Sequence, residues 1–268
     1  MHKYLYTLIL LIPVLTLYGQ GELNSETRVV TTNEHSFLLS ANSNGFSGSF
    51  QYGKRLDGFK KRTFDFDFSY IKHPKEIRVE NPYYQTQKKF VFGKLYSMFA
   101  LRAGVGRQRE MFSIYDKGGL AIRYHYEVGG TVGLLKPIYY DVVDSTEQIN
   151  NLEHLYISSK EFDYTSIHEV GDIYSRSSFF KGINETKLIP GVFFKGGVSF
   201  VFSERYESIN AIEIGTIVDV FAKSIHIMAN EKKNYVFVSL YVGYRFGRIG
   251  IKNKSSSNEI NATGDEEN

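Results

Sequence analysis

Hydrophobic and polar residues alternate with a period of two along most of the chain, and within each segment the parity of the apolar set holds. Between residues 64 and 70 the even positions are Phe64, Phe66, Phe68 and Tyr70, and the odd ones are Asp65, Asp67 and Ser69. From 120 to 134 Leu120, Ile122, Tyr124, Tyr126, Val128, Val132 and Leu134 face Arg123, His125, Glu127 and Thr131. The split recurs as Val192, Phe194, Val198, Phe200 and Phe202 against Lys195 and Ser199, and as Ile212, Ile214, Val218 and Val220 against Glu213 and Asp219. Val236, Val238, Leu240, Val242, Tyr244 and Phe246 close the series. Such alternation places one set on each face of a pleated strand. It predicts about eight strands, at 36–43, 46–54, 62–72, 92–106, 119–136, 190–204, 208–222 and 234–247, the first having the weakest pattern. Asn44-Gly45 between the first two matches a type I′ hairpin turn.

The connections sort by length. Those at one end, 73–91 and 137–189, are long; those at the other, 55–61, 107–118 and 205–207, are shorter. Outer-membrane barrels have this asymmetry, with short periplasmic turns, long outer loops and an even number of strands. A soluble β-sandwich would also alternate. The loop asymmetry, an apolar face rich in Phe and Tyr on nearly every strand, and the N-terminus favour the barrel. The N-terminus has a short basic region (His2, Lys3), an apolar core from Leu5 to Leu17 and a small or polar exit at Gly19, Gln20 and Gly21. A core of that length fits a cleaved signal peptide and falls short of the roughly 20 residues of a spanning helix. The expected organisation is a signal peptide at 1–20 and a periplasmic segment at 21–34. An all-β, eight-stranded antiparallel transmembrane up-and-down barrel follows at 35–248, with a long extracellular loop, and then a disordered periplasmic tail at 249–268.

Composition narrows the function. Aromatics make up 15% of residues, with 20 Tyr, 21 Phe and no Trp, and there are only 5 Pro, which suits strands. With no cysteine there can be no disulfide framework, thiolate metal site or cysteine nucleophile. The charge, +3 from 32 basic and 29 acidic residues, is too balanced to suggest nucleic acid.

The last strand ends in Tyr244-Arg245-Phe246, and this looks like the terminal strand recognised by the barrel-assembly machinery, with Tyr244 and Phe246 as the signal. More broadly, the chain resembles uncharacterised small outer-membrane β-barrel proteins of Bacteroidota. The likeness is carried by Gln-Tyr-Gly-Lys-Arg at 51–55, His73-Pro74-Lys75-Glu76, Gly196-Gly197, Met228-Ala229-Asn230 and the leader ending Gly19-Gln20. It implies a location in the cell outer membrane and carries no catalytic motif. The partners expected there are outer-membrane lipid and lipopolysaccharide, the assembly machinery during insertion, and an envelope complex reached through the 137–189 loop.

In such a barrel the polar parity faces the lumen. The charges assigned to it are Asp65, Asp67, Glu127, Glu213 and Asp219 against Lys94, Arg102, Arg123, Lys195 and Arg245, a neutral set that also includes His125. Eight strands leave room only for side chains, and buried charges must pair. An ion-paired plug is therefore expected rather than a proton relay or a catalytic pair at Asp65 and Asp67. Arg55, Lys60, Lys61 and Arg62 are read as a basic rim reaching lipid phosphates. Serines are abundant near His73, His154, His168 and His226, but no nucleophile elbow, zinc-binding His-Glu-Xaa-Xaa-His or phosphate loop occurs. No cofactor, metal site or catalytic residue is expected, and the protein is read as non-enzymatic. Its function is then a structural element or subunit of an envelope complex, the alternatives being a narrow channel or transport accessory and a lipid- or surface-modifying enzyme. The aromatics of the long loop, Tyr139, Tyr140, Tyr156, Tyr164, Tyr174, Phe179 and Phe180, are the candidate partner contacts.

Overall fold

A computed structural model describes residues 31–57, 59–84, 88–112, 120–149, 152–202 and 208–251. The expected signal peptide and most of the hydrophilic tail lie outside them. The strands are β1 (Thr31–Asn42), β2 (Gly45–Arg55), β3 (Lys60–Ile71), β4 (Arg78–Val79), β5 (Phe90–Val91), β6 (Tyr96–Phe112), β7 (Ala121–Pro137), β8 (Tyr139–Ile149), β9 (Leu152–Glu161), β10 (Ile173–Arg176), β11 (Lys187–Val201), β12 (Ser208–Ile225) and β13 (Asn234–Ile251). Eight of them close into an antiparallel barrel in the order β1-β13-β12-β11-β7-β6-β3-β2. Apart from the closure of β1 on β13, each barrel strand pairs with the next one in the chain, giving an up-and-down barrel with no free edge.

The first strand, weakest in the sequence pattern, is the one that closes the ring. Ser36 pairs with Gly247 on one side and Gln51 on the other. The strand begins at Thr31, so the end of the segment assigned to 21–34 belongs to the barrel wall. Its pattern is weak because Leu38 interrupts the polar inward set of Glu34, Ser36 and Ser40, and His35 interrupts the apolar outward set of Phe37 and Leu39. The sixth strand starts later than expected and runs on to Phe112. Beyond Val105 both its faces carry polar or small residues (Arg107, Gln108, Arg109, Glu110), which erases the period-two signal without ending the strand.

The first hairpin turns through Ser43 and Asn44, one residue earlier than the Asn-Gly reading, and Gly45 opens β2 opposite Asn42. Gly45 has φ of 151°, and a Cβ there would lie 1.9 Å from the Tyr70 carbonyl oxygen. At the opposite end, Asp57 Oδ1 accepts the backbone N–H groups of Phe59 and Lys60 at 2.9 and 2.8 Å, fixing the β2–β3 connection.

The 137–189 connection, expected to be a loop, is a folded crown. β7 continues through Ile138 alone into β8, the centre of a sheet ordered β10-β8-β9. A bulge between Val143 and Ser145 and a shift between Ile173 and Ser175 break the alternation that would have revealed these strands. The other long connection carries the β4–β5 pair and packs against the crown. Phe90, Ile138, Tyr140, Val142, Phe162, Ile167 and Ile173 form a common core. Asn81 locks the two connections together: Nδ2 donates to the carbonyls of Gly171 (2.9 Å) and Ile173 (2.7 Å), and Oδ1 accepts from the Tyr83 and Tyr84 amides.

The turn supplies a test of the barrel register. Gly45→Ala is expected to lower stability by about 1–3 kcal/mol, since it combines an unfavourable φ with a backbone clash. Equilibrium urea unfolding measures it, with Asn44→Ala in the same turn as the comparison.

Candidate functional site

The strand register brings the inward positions of all eight barrel strands into one lumen. Arg102 of β6 reaches across to β12, where Nε and Nη2 each donate to an Asp219 carboxylate oxygen at 2.7 Å, while Nη1 donates to Asp67 on β3 at 2.5 Å. Lys195 of β11 crosses to Asp65 of β3 at 3.2 Å and lies 3.8 Å from Glu127 on β7. Gln51 of β2 donates to Glu127 at 2.6 Å. Arg245 grips Glu213 through Nε at 2.7 Å and Nη2 at 3.2 Å, and Nη1 donates to the Ser36 hydroxyl at 3.1 Å. Glu213 also accepts from Tyr241 (2.9 Å) and Ser199 (3.1 Å), and His125 Nε2 lies 2.9 Å from the Tyr241 oxygen.

Each of these groups is almost wholly buried; Lys195, Asp65 and Glu213 are 1% exposed and Asp219 and Glu127 are fully covered. The arrangement is therefore cooperative: each charge tolerates burial only because its partner is buried with it. Several of the ties join strands that are not neighbours in the wall and so brace the ring across its diameter.

Two residues assigned to this network lie elsewhere. Lys94 precedes β6 and sits in the crown-end mouth, bonded to Glu76 at 2.5 Å and to the Tyr70 hydroxyl at 3.1 Å. Arg123 is near the opposite end, 3.4 Å from Glu110 and 3.9 Å from Glu34. The mid-lumen set is consequently not five against five. Asp65, Asp67, Glu127, Glu213 and Asp219 face three permanent cations, Arg102, Lys195 and Arg245, and Asp65 Oδ1, Asp67 Oδ2 and Glu127 Oε2 have no protein hydrogen-bond donor.

Sequence reasoning missed several members. Lys61, placed on the basic rim, is 5% exposed and bonded to Glu34 inside the barrel. The signal was available: Lys61 and Thr63 continue the inward parity of Asp65 and Asp67. Glu34 lies before the start expected for the first strand, and Ser36, inside that strand, carries no charge. Tyr241 and Gln51 were missed because only charges were sought among the inward positions.

Above the network the lumen is closed by apolar side chains. Ile71, Met98, Ala100, Leu135, Ile189, Phe221, Ile225, Ile227 and Met228 form one buried cluster across the mouth. Ile227 and Met228 enter it from the β12–β13 connection, held by the Ile227 carbonyl accepting from Leu95 N–H at 2.9 Å.

The outer wall inverts this chemistry. Phe66, Leu101, Val128, Val192, Ile214, Val238 and Leu240 are between 45% and 65% exposed on the barrel exterior. Aromatic rows run along both margins. Towards the crown Phe46, Tyr70, Phe99 and Phe179 are in successive contact, with ring centroids 5.6, 5.1 and 6.5 Å apart. Towards the other end the row passes from Phe64 through Tyr52, His35, Phe50, Phe37 and Phe246 to Tyr244 and Phe202. Tyr244 and Phe246, singled out as an assembly signal, lie on this second row.

The crown distributes the loop aromatics unevenly. Tyr140 is 1% exposed, its hydroxyl bonded to the carbonyls of Val91 (2.6 Å) and Lys94 (2.9 Å), so it is core and presents nothing to a partner. Tyr139 is half-buried and donates to Glu185 at 2.6 Å, and Tyr174 packs on Tyr84. Tyr156, Tyr164, Phe179 and Phe180 are exposed, and the Tyr164 hydroxyl donates to Asn230. Asp141 of β8 accepts from Ser159 of β9 at 2.6 Å, from Ser175 of β10 at 3.2 Å and from Ser177 just beyond it, uniting the three strands. Among the described residues no group of three or more His, Asp or Glu is placed to hold a metal ion.

No family model and no curated protein matches the chain. Similar solved structures include neisserial surface protein A (10% identity, TM-score 0.34, covering 82% of this chain and 96% of that one). Ail, the attachment invasion locus protein of Yersinia pestis, matches at 9% identity and TM-score 0.39, covering 81% and 97%. The N-terminal β-barrel domain of Pseudomonas aeruginosa OprF matches at 6% and 0.34, covering 82% and 98%. Identities and scores this low transfer no ligand or activity.

Two expectations follow from the site. Arg102→Met strands Asp67 and Asp219 in a buried environment and should destabilise the protein by about 3–5 kcal/mol; adding Asp67→Asn and Asp219→Asn should recover much of that loss in the same urea titration. Partial burial of Asp141 disfavours its charged form, but hydrogen bonds from Ser159, Ser177 and Ser175, with Lys181 nearby, outweigh it and hold its carboxyl below the usual 3.8. A carboxyl lowered by folding stabilises the crown above that usual value, and the contribution disappears as pH falls through its lower folded value. Protection against hydrogen exchange along 173–177, taken relative to the intrinsic exchange rate at each pH, should therefore fall on acidification below about pH 4, and Asp141→Asn should flatten that dependence.

Proposed function

We propose that this chain is an integral outer-membrane barrel whose sealed body anchors the crown, and that the crown is its working part, a contact surface within an envelope complex. The observation that carries the membrane reading is the inversion of polarity between wall and lumen. Soluble monomers rarely expose a contiguous apolar patch beyond a few hundred Å². Here the exposed apolar side chains encircle the barrel while arginines, lysines and carboxylates are buried within it. Aromatic rows at both margins of an apolar band are the signature of a barrel meeting two lipid–water interfaces. From Val236 to Phe246 of β13 the wall covers about 33 Å along the strand, or about 25 Å across a bilayer at the usual tilt of about 40°. In a bilayer only a closed barrel or a helix satisfies every backbone group, and among the described residues no helix is long and apolar enough to span. The resemblance to small Bacteroidota barrels drawn from the sequence agrees with this location, and the insertion of such a barrel would pass through the assembly machinery.

The closed interior favours the anchor over a channel. Ion pairs brace the mid-lumen and an apolar cluster fills the crown-end mouth. The crown is a built structure with its own core, a sheet and cross-links between both long connections, and it exposes Tyr156, Tyr164 and Phe180. The reading is of a non-enzymatic role, supported by the burial of His125, which is 3% exposed in the lumen.

The protein should fractionate with the outer membrane, migrate differently when boiled and unboiled, and give no large, stable conductance in planar bilayers. A stable channel would overturn the anchor, and recovery in the soluble fraction would overturn the membrane reading. For the crown, affinity purification from native membranes should yield a stoichiometric protein partner that Tyr156→Ser combined with Tyr164→Ser releases.

A further inference from the structure

The aromatic row at the crown margin ends in a pair of cations with no carboxylate partner among the described residues. Phe179, in the turn after β10, packs edge-on against Phe99 on the outside of the wall. Lys136 Nζ lies 4.9 Å from the centre of the Phe179 ring, and the Arg176 guanidinium carbon lies 5.9 Å from the same point. Attraction to the ring face offsets part of their mutual repulsion. Yet among the described residues no carboxylate is within ion-pairing distance of either. The acids nearby are engaged: Glu185 accepts from Tyr139, and Asp141 is ringed by serine hydroxyls. Arg176 is half-buried and forms the open side of the pair, while Lys136, 4% exposed under the ring and donating to the Pro137 carbonyl at 3.1 Å, adds charge from behind.

Beside this pair the surface is apolar. Phe180, in ring contact with Phe179 at 5.8 Å, is 74% exposed, and Ile183 is 50% exposed. The pair thus lies where the apolar wall gives way to the polar crown. Free phosphate would satisfy the cations but not the adjoining apolar surface; a phosphate carrying acyl chains satisfies both. We infer that Lys136 and Arg176 form a docking site for the phosphate of a membrane lipid in the crown-side leaflet, its acyl chains lying against Phe179, Phe180 and Ile183. The inference rests on the membrane reading above.

The test is to reconstitute the full chain in phosphatidylcholine bilayers doped with phosphatidylglycerol, extract it in mild detergent and measure the retained lipids by mass spectrometry. Wild type should retain phosphatidylglycerol well above its share of the bilayer. Lys136→Gln with Arg176→Gln should lower that enrichment roughly 30-fold, the change expected from about 1 kcal/mol for each cation. Arg176→Gln alone, on the exposed side, should lower it roughly 5-fold and covers the case in which the double variant fails to assemble. Lys75→Gln with Lys89→Gln removes the same charge from cations already paired with Glu231 and Glu80, and should leave the enrichment unchanged. No enrichment by inserted wild type, or an equal loss in the Lys75/Lys89 variant, overturns the site. Displacement of the lipid by inorganic phosphate at equal concentration overturns its assignment to lipid. Failure of wild type to insert into phosphatidylcholine at all counts against the membrane reading, and the inference falls with it.

Discussion

Closing eight strands into a ring leaves an interior about as wide as the side chains that point into it, and the rest of this structure answers to that limit. Ten or so charged groups cannot be buried in so narrow a space unless each is met by an opposite charge or a polar donor. Arg102 therefore spans from β6 to β12, and Lys195 from β11 to β3, distances that only a small barrel makes short. Large residues need matching space: a Cβ on Gly104 would lie 2.7 Å from the Phe193 ring, and one on Gly133 would lie 2.9 Å from the Phe221 ring. The glycines of the inward parity are thus part of the filling of the lumen, as much as the bulky residues are.

The same limit explains what could be read from the chain. Period-two alternation survives wherever one face meets lipid-like surroundings and the other a packed polar lumen, so the strands around Phe64–Tyr70, Leu120–Leu134 and Val236–Phe246 were legible. It fails where the two faces become alike. Beyond Val105 both are polar or small and the strand end was lost; in the first strand, Leu38 inside and His35 outside blunted the contrast. The crown was illegible for another reason. Its sheet is bulged, its core is shared with residues 79–95, and neither half of that core has a pattern by itself. Tyr140 looked like surface because nothing local announces that Val91 and Lys94 accept its hydroxyl.

The candidate site divides along the same line. Parity alone found Asp65, Asp67, Arg102, Glu127, Lys195, Glu213, Asp219 and Arg245, because which wall a residue faces is a local property. Parity could not say at what height each would sit, since height depends on the stagger between strands. Lys94 and Arg123 have the inward parity yet belong to the two ends, and their removal leaves five carboxyl groups facing three cations in the middle. Lys61 shows the converse: the rim reading takes in the three consecutive basic residues Lys60, Lys61 and Arg62 although alternate ones must face opposite ways.

The crown inherits its position from the braced lumen. β7 carries Glu127, tied to Gln51 and Lys195, and after Ile138 alone the same chain direction becomes β8, the central strand of the crown. A surface at the end of a flexible loop would lose conformational entropy whenever it bound. One built on the continuation of a braced strand has already been ordered by folding, so more of its contact energy appears as affinity. The connection that enters the mouth at Ile227 and Met228 ties it a second time, through Ala229 against the crown core and the Lys94–Met228 bridge. Sealing the lumen and stiffening the crown are therefore one structural act, which is why a plugged barrel and an ordered outer surface occur together in this chain.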